Sequence, residues 1–167
     1  MIPRGRTAAV LSVLLLGLTG CAGDSSVAAE EMTWQEAKTR TQVMELEIAE
    51  SLPEGEVAKV DQLPTGVLID CSDTLVTWNG ATTVTLTEGT DPEPLVREFE
   101  EKYRDSRFGI EVRDPAPAGN YEVQLRSPDT AEIYIVGEGT KPDTFLITSS
   151  SDCFTWVDDG KYKRGKF

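Results

Sequence analysis

The chain contains no histidine. That absence excludes imidazole acid–base chemistry, Ser-His-Asp and Cys-His nucleophiles, and His-ligated metals. Basic residues are scarce: 16 Lys and Arg stand against 29 Asp and Glu, a formal charge of −13. Nucleic acid is disfavoured as a partner, because phosphate contacts need a basic face. Adsorption to anionic headgroups by charge alone is disfavoured for the same reason. No run is apolar for long enough to span a bilayer. The most apolar, Ala8 to Leu18, has 11 residues, against about 20 for a spanning helix. The sequence also lacks a Cys-x-x-Cys pair, a Gly-rich phosphate loop, a dinucleotide fingerprint, Gly-x-Ser-x-Gly, Ser-x-x-Lys and Asp-x-Asp-x-Asp-Gly. Redox dithiol, nucleotide, serine-nucleophile and EF-hand calcium chemistry therefore have no motif to stand on. No catalytic set, cofactor site or metal site is expected.

What is present begins with the N-terminus. Arg4 and Arg6 precede the apolar run, and Leu18-Thr19-Gly20-Cys21 closes it. Charge, an apolar stretch of signal-peptide length and small residues occur in the order of a secretion signal. The four residues resemble a bacterial lipobox, which implies acylation of the Cys21 thiol and cleavage before Cys21. Residues 1–20 are then a lipoprotein signal peptide. Residues 21–31 (small and polar over Gly23 to Ala29) form a tether, and residues 32–167 form one domain. Acyl chains contribute about 0.8 kcal/mol per buried CH2, so two or three hold firmly where one does not. The expected location is the cell membrane, facing outside. Beyond residue 20 there are 14 basic and 29 acidic side chains, near −15, and that excess favours a soluble monomer.

Three cysteines are an odd count for an exported protein. Acylation of Cys21 leaves Cys71 and Cys153, and an oxidising compartment makes a disulfide their default. It would join the start of the globular region to its end.

The domain itself reads as α+β. Thr33-Trp34-Gln35-Glu36 is a capping box, and Trp34, Ala37, Thr41, Met44 and Ile48 then share one helical face. Val43 and Leu46 widen that face, and Glu45, Glu47 and Glu50 take the other. The spacing predicts a helix over 33–51. Residues 53–66, with Pro53, Gly55, Pro64 and Gly66, read as loop. Val67 to Asp70 is a short strand. Asn79-Gly80, between Thr74–Trp78 and Ala81–Thr87, predicts a tight hairpin whose ribbon has one Thr-rich face. Asp91-Pro92 opens a second helix, with Leu95, Val96, Phe99 and Tyr103 on one stripe, ending near Asp105. Strands follow over 108–113, 121–126, 131–136 and 144–148. The expected architecture is a two-layer α+β domain: a mainly antiparallel sheet of about five to seven strands, with two helices on one face.

The set of motifs resembles small actinobacterial lipoproteins of unknown function. The residues that carry it are the lipobox, the cysteine after the first strand, Trp78-Asn79-Gly80, Gly89-Thr90-Asp91-Pro92 and Ser151-Asp152-Cys153-Phe154. The resemblance implies membrane anchoring, one disulfide and an α+β domain, and it implies no activity.

Local candidates for chemistry each have a plainer reading. Asp70 and Asp73 flank Cys71 and, with Asp152, could meet a cation across the disulfide, though isolated turn acids are normally solvated. Ser149-Ser150-Ser151 reads as a polar strand end. Trp78 and Trp156 could offer an aromatic platform for sugar or peptide, against a default of core packing. Lys161, Lys163, Arg164 and Lys166 form a basic tail that reads as a solvated terminus. The functional expectation is a lipid-anchored, non-enzymatic domain binding a protein, a peptide or an envelope component at the cell surface. The alternatives are a carboxylate-based envelope hydrolase, or a small-molecule or lipid carrier with a pocket between helices and sheet.

Overall fold

The computed structural model describes residues 32–114, 117, 119–156 and 166–167. The expected signal, tether and acylated Cys21 lie outside the described residues, as do Lys161, Lys163 and Arg164. Helices α1 (Trp34–Glu50) and α2 (Pro92–Arg104) pack on one face of an open antiparallel sheet. Its strands are β1 (Val57–Gln62), β2 (Val67–Asp70), β3 (Leu75–Leu86), β4 (Gly109–Val112), β5 (Glu122–Arg126), β6 (Ile133–Glu138), β7 (Thr144–Ser150) and β8 (Phe154–Thr155). The order across the sheet is β1-β3-β7-β6-β5-β4. Short β2 and β8 flank the first half of β3. The α+β class and the two helices agree with the sequence reading. The eight strands include two the sequence did not announce, β1 and β8.

Both helices start where their caps dictate. The Thr33 hydroxyl accepts from the Glu36 amide at 3.2 Å, and the Glu36 carboxylate accepts from the Thr33 amide at 2.8 Å. Those bonds hold the Glu36 carboxyl below its usual pKa. Asp91 accepts from the Glu93 amide at 3.1 Å, with Pro92 at the first helical position. Leu95, Val96 and Phe99 are buried, as their stripe requires.

Helix α1 departs from its expected face on one flank. Val43 and Leu46 point to solvent, while Glu45 is fully buried. The buried stripe runs through Ala37, Thr41, Glu45, Ile48 and Ala49. Glu45 accepts from Thr82 at 2.7 Å, Ser149 at 2.5 Å and Gln62 at 3.0 Å. Three neutral donors from β3, β7 and β1 thus hold a carboxylate inside the interface, which is tolerable only when its oxygens are hydrogen-bonded.

The expected hairpin at Asn79-Gly80 is absent: β3 runs unbroken through both residues. A hairpin requires its two arms to pair with each other. Here the first arm pairs with β2 and β8, and the second with β1 and β7. Glycine is needed at position 80 for space rather than for a turn. A Cβ there would stand 2.3 Å from the Trp78 ring, and one at Gly66 would stand 2.5 Å from it. The stretch expected to be loop over 53–66 also contains β1, an edge strand with four of six residues exposed. With neither face clearly buried, it shows no alternation to read.

The core divides in two. The larger cluster joins Ile48 and Ala49 of α1, Leu95, Val96 and Phe99 of α2, and the inward side chains of β3, β5, β6 and β7. The smaller gathers Ala37, Leu68, Val76, Trp78, Phe154 and Phe167, with Met32, Trp34 and Trp156 against it. Phe167 is therefore buried rather than solvated, and its backbone exchanges two hydrogen bonds with Gly66, at 2.8 and 3.1 Å. Lys166 beside it is exposed.

Gly80→Ala should lower stability by about 1–3 kcal/mol, because the indole beneath it is rigid and has nowhere to move. Urea unfolding followed by tryptophan fluorescence measures the loss; an unchanged midpoint would contradict the continuous strand.

Candidate functional site

Among the described residues, no helix or strand covers the sheet face opposite the helices. On β2, buried Leu68 sits beside Trp78, so Val67 and Ile69 project to the open side. The same alternation brings Thr77, Asn79, Ala81, Thr83 and Thr85 of β3 to that face. Across the sheet, Val67 stands opposite Asn79, Asn79 opposite Ser150, and Ser150 opposite Ile133. A second row runs Ala81, Thr148, Ile135. Small residues in the middle of these rows and larger ones at their ends leave a groove of ≈ 350 Å³. Its walls are Leu63 and Val67 on one side and Ile133 and Ile135 on the other; none of its lining residues is charged.

The loop that raises Leu63 is held from behind. Gln42 donates to the Leu63 carbonyl at 2.8 Å, and the Leu63 amide donates to the Ala81 carbonyl at 3.0 Å. Lys38 donates to the Pro64 carbonyl at 2.5 Å. Charged side chains on this face belong to flanking strands. Lys59 and Asp61 of β1 pair at 2.6 Å, and Arg113 of the β4–β5 connection pairs with Glu122 at 2.8 Å. The groove thus has an uncharged lining, with the ion pairs of this face on strands to either side of it.

Cys71 and Cys153 are joined, with Cα atoms 6.3 Å apart. The bridge links the end of β2 to the start of β8. Asp70 and Asp73 are exposed beside it, and Asp152 accepts from the Ala131 amide. Among the described residues, no three His, Cys, Asp or Glu are gathered so as to hold a metal ion.

The three serines are absorbed by packing. Ser149 donates to buried Glu45, Ser150 shares a 2.9 Å hydrogen bond with Thr77, and the Ser151 hydroxyl accepts from the Trp78 amide at 2.9 Å. Trp78 is wholly buried and Trp156 packs edge-on against Phe167, ring centres 5.2 Å apart. Neither lines the groove.

A second buried acid, Glu132, lies 2.9 Å from Arg40 and accepts from the Tyr134 hydroxyl at 3.3 Å. Burial first, then the Glu132 charge, pushes the Tyr134 hydroxyl far above its ordinary pKa. Across the molecule, Tyr121 donates to Glu100, and that bond, aided by Arg104, holds the Glu100 carboxyl below its usual value. Arg97 stacks 3.8 Å over the Tyr121 ring. Neither Glu45, Glu132 nor Glu100 lines the groove.

The chain matches no protein-family model, no curated protein and no solved structure. Function therefore rests on the groove and on the sequence. The groove residues were not singled out from sequence. The only signal was the Thr-rich face of β3, which correctly marks the open side.

The disulfide closes a separation of 82 residues, for which chain entropy gives about 4 kcal/mol. Cys71→Ser/Cys153→Ser should lose stability of that order in equilibrium denaturation. Wild-type Cys71 and Cys153 should resist thiol labelling under denaturing, non-reducing conditions.

Proposed function

We propose that this chain is a lipid-anchored, non-enzymatic binding domain that faces outside the cell membrane. It takes a protein, a peptide or an envelope component in the groove on its open sheet face. The observation that carries the reading is the groove itself: ≈ 350 Å³, walled by aliphatic side chains and free of charged residues. Apolar walls with a few polar groups suit recognition by burial, with Asn79 and Thr148 fixing orientation. No aromatic side chain lines it, which favours aliphatic polypeptide over the stacking faces of sugars. A carboxylate hydrolase gains no support from a groove without a lining acid.

The anchor reading rests on Leu18-Thr19-Gly20-Cys21 following a basic, then apolar, N-terminus. No described helix is long and apolar enough to cross a membrane. Cys21→Ala should move the protein out of the membrane fraction or leave it unprocessed. Tight retention of that variant would assign the anchor to the apolar run over 8–18.

The groove reading has its own test. Ile135→Asp places a charge against an apolar wall, which should weaken a groove-bound partner about tenfold or more. Affinity capture from intact membranes, comparing wild type with Ile135→Asp, measures it. Equal recovery of the same partner by both would remove the groove from the reaction.

A further inference from the structure

All three tryptophans of the sequence occupy one end of the domain. Trp78 is buried there, while Trp34 and Trp156 are only partly covered. Both rings meet Phe167 edge-on, at 5.7 and 5.2 Å between centres. Phe167 in turn pairs through its backbone with Gly66. On either side of Gly66 lie the exposed aliphatic residues Leu63 (53% exposed), Val67 (42%) and Ile69 (51%). This end therefore carries half-covered indoles on the helix side of the sheet and aliphatic side chains left in water on its open side.

It is also the end where the chain enters the domain. Met32 packs in the smaller core cluster, and α1 begins at Trp34. Met32 lies only 11 positions after Cys21, and such a length spans at most about 40 Å. A domain anchored at Cys21 cannot move this end far from the lipid surface. Indoles and aliphatic side chains are what the headgroup–acyl boundary accepts. The opposite edge of the sheet is a poorer candidate for that contact: α2, which covers it, presents Glu93, Glu98, Glu100 and Glu101 with Arg97, Lys102 and Arg104 and no tryptophan.

We infer that the domain docks edge-on through β2 and the β1–β2 loop on the bilayer to which Cys21 is tethered, with Leu63, Val67 and Ile69 reaching it from the open side of the sheet and Trp34 and Trp156 from the helix side. The inference rests on the anchor reading above. Contact is apolar rather than ionic, since Asp70 and Asp73 are exposed close by. One wall of the groove, Leu63 and Val67, then lies at the lipid surface. A partner would enter from the side of Ile133 and Ile135, along the membrane plane.

The test supplies its own tether, so that it does not depend on acylation in the cell. The chain from Cys21 onward, the processed form that the anchor reading implies, is produced unacylated and oxidised and coupled through Cys21 to a maleimide-headgroup lipid in phosphatidylcholine vesicles. The vesicles are prepared plain or with brominated acyl chains, and tryptophan emission is compared. No tryptophan lies before Trp34, so the emission reports on the domain alone. Emission should fall in the brominated vesicles. In the triple variant Leu63→Ser/Val67→Ser/Ile69→Ser, the quenched fraction should drop about twofold or more. Circular dichroism confirms that this variant is folded, its three sites being exposed. Equal emission in both vesicles, or undiminished quenching of the variant, would overturn the docking. Quenching confined to high surface density, with a cross-linked dimer, would give this face to a second copy and equally overturn it. Failure of the anchor reading shows separately, as membrane retention of Cys21→Ala in cells.

Discussion

The fold depends on the fit of one indole ring between two glycines. Trp78 lies where the Cβ atoms of residues 66 and 80 would otherwise stand. Its own strand supplies one glycine and the β1–β2 loop supplies the other. Its amide is held by the Ser151 hydroxyl, and its ring nitrogen faces the Phe167 carbonyl at 3.5 Å. Four segments distant in sequence thus meet at one side chain. Because the ring fills that space, β3 stays straight through Asn79-Gly80 and reaches both halves of the sheet. Four strands pair with it, and the disulfide ties two of them, β2 and β8, across its first half. A packed interior tolerates little change in volume, so this part of the molecule has few degrees of freedom left.

Asn79-Gly80 shows why a local signal can mislead. The Asn-Gly pair marks hairpins because both residues tolerate positive φ. Glycine has a second property, the absence of a side chain, and only the position of Trp78 shows which one is used. Glu45 misled for a related reason. On the helix it follows polar spacing, yet Thr82, Ser149 and Gln62 come from three strands to satisfy it. No local pattern contains those partners. By contrast, both helix starts, the α2 stripe and strands β5 and β7 were legible, since caps and periodicity are properties of adjacent residues. The disulfide was legible through counting, once Cys21 had been set aside.

The groove was not legible at all, and its construction explains why. Val67, Asn79, Ser150 and Ile133 form one row, yet its members lie up to 83 positions apart in the chain. A row across a sheet is set by strand order and register, and neither can be read from one sequence. What the sequence did supply was its chemistry. The Thr-rich face of β3 and the small residues around Gly80 make the floor low, and the aliphatic residues at either end make the walls.

Apolar exposure, not charge, gives the two ends of the sheet different prospects near a membrane. Over β4, β5 and β6, α2 sets Arg97, Lys102 and Arg104 among its four glutamates, and beside β2 Asp70 and Asp73 are exposed. Screening confines the repulsion of such acids from an anionic surface to about a Debye length, roughly 8–10 Å. A short tether makes contact intramolecular, so even a weak apolar surface acts at high effective concentration. Three exposed aliphatic residues and two partly covered indoles would be a poor anchor alone. On the proposed anchor, which would hold them within 11 residues of Cys21, they would have only to choose an orientation, and the groove would inherit it through Leu63 and Val67.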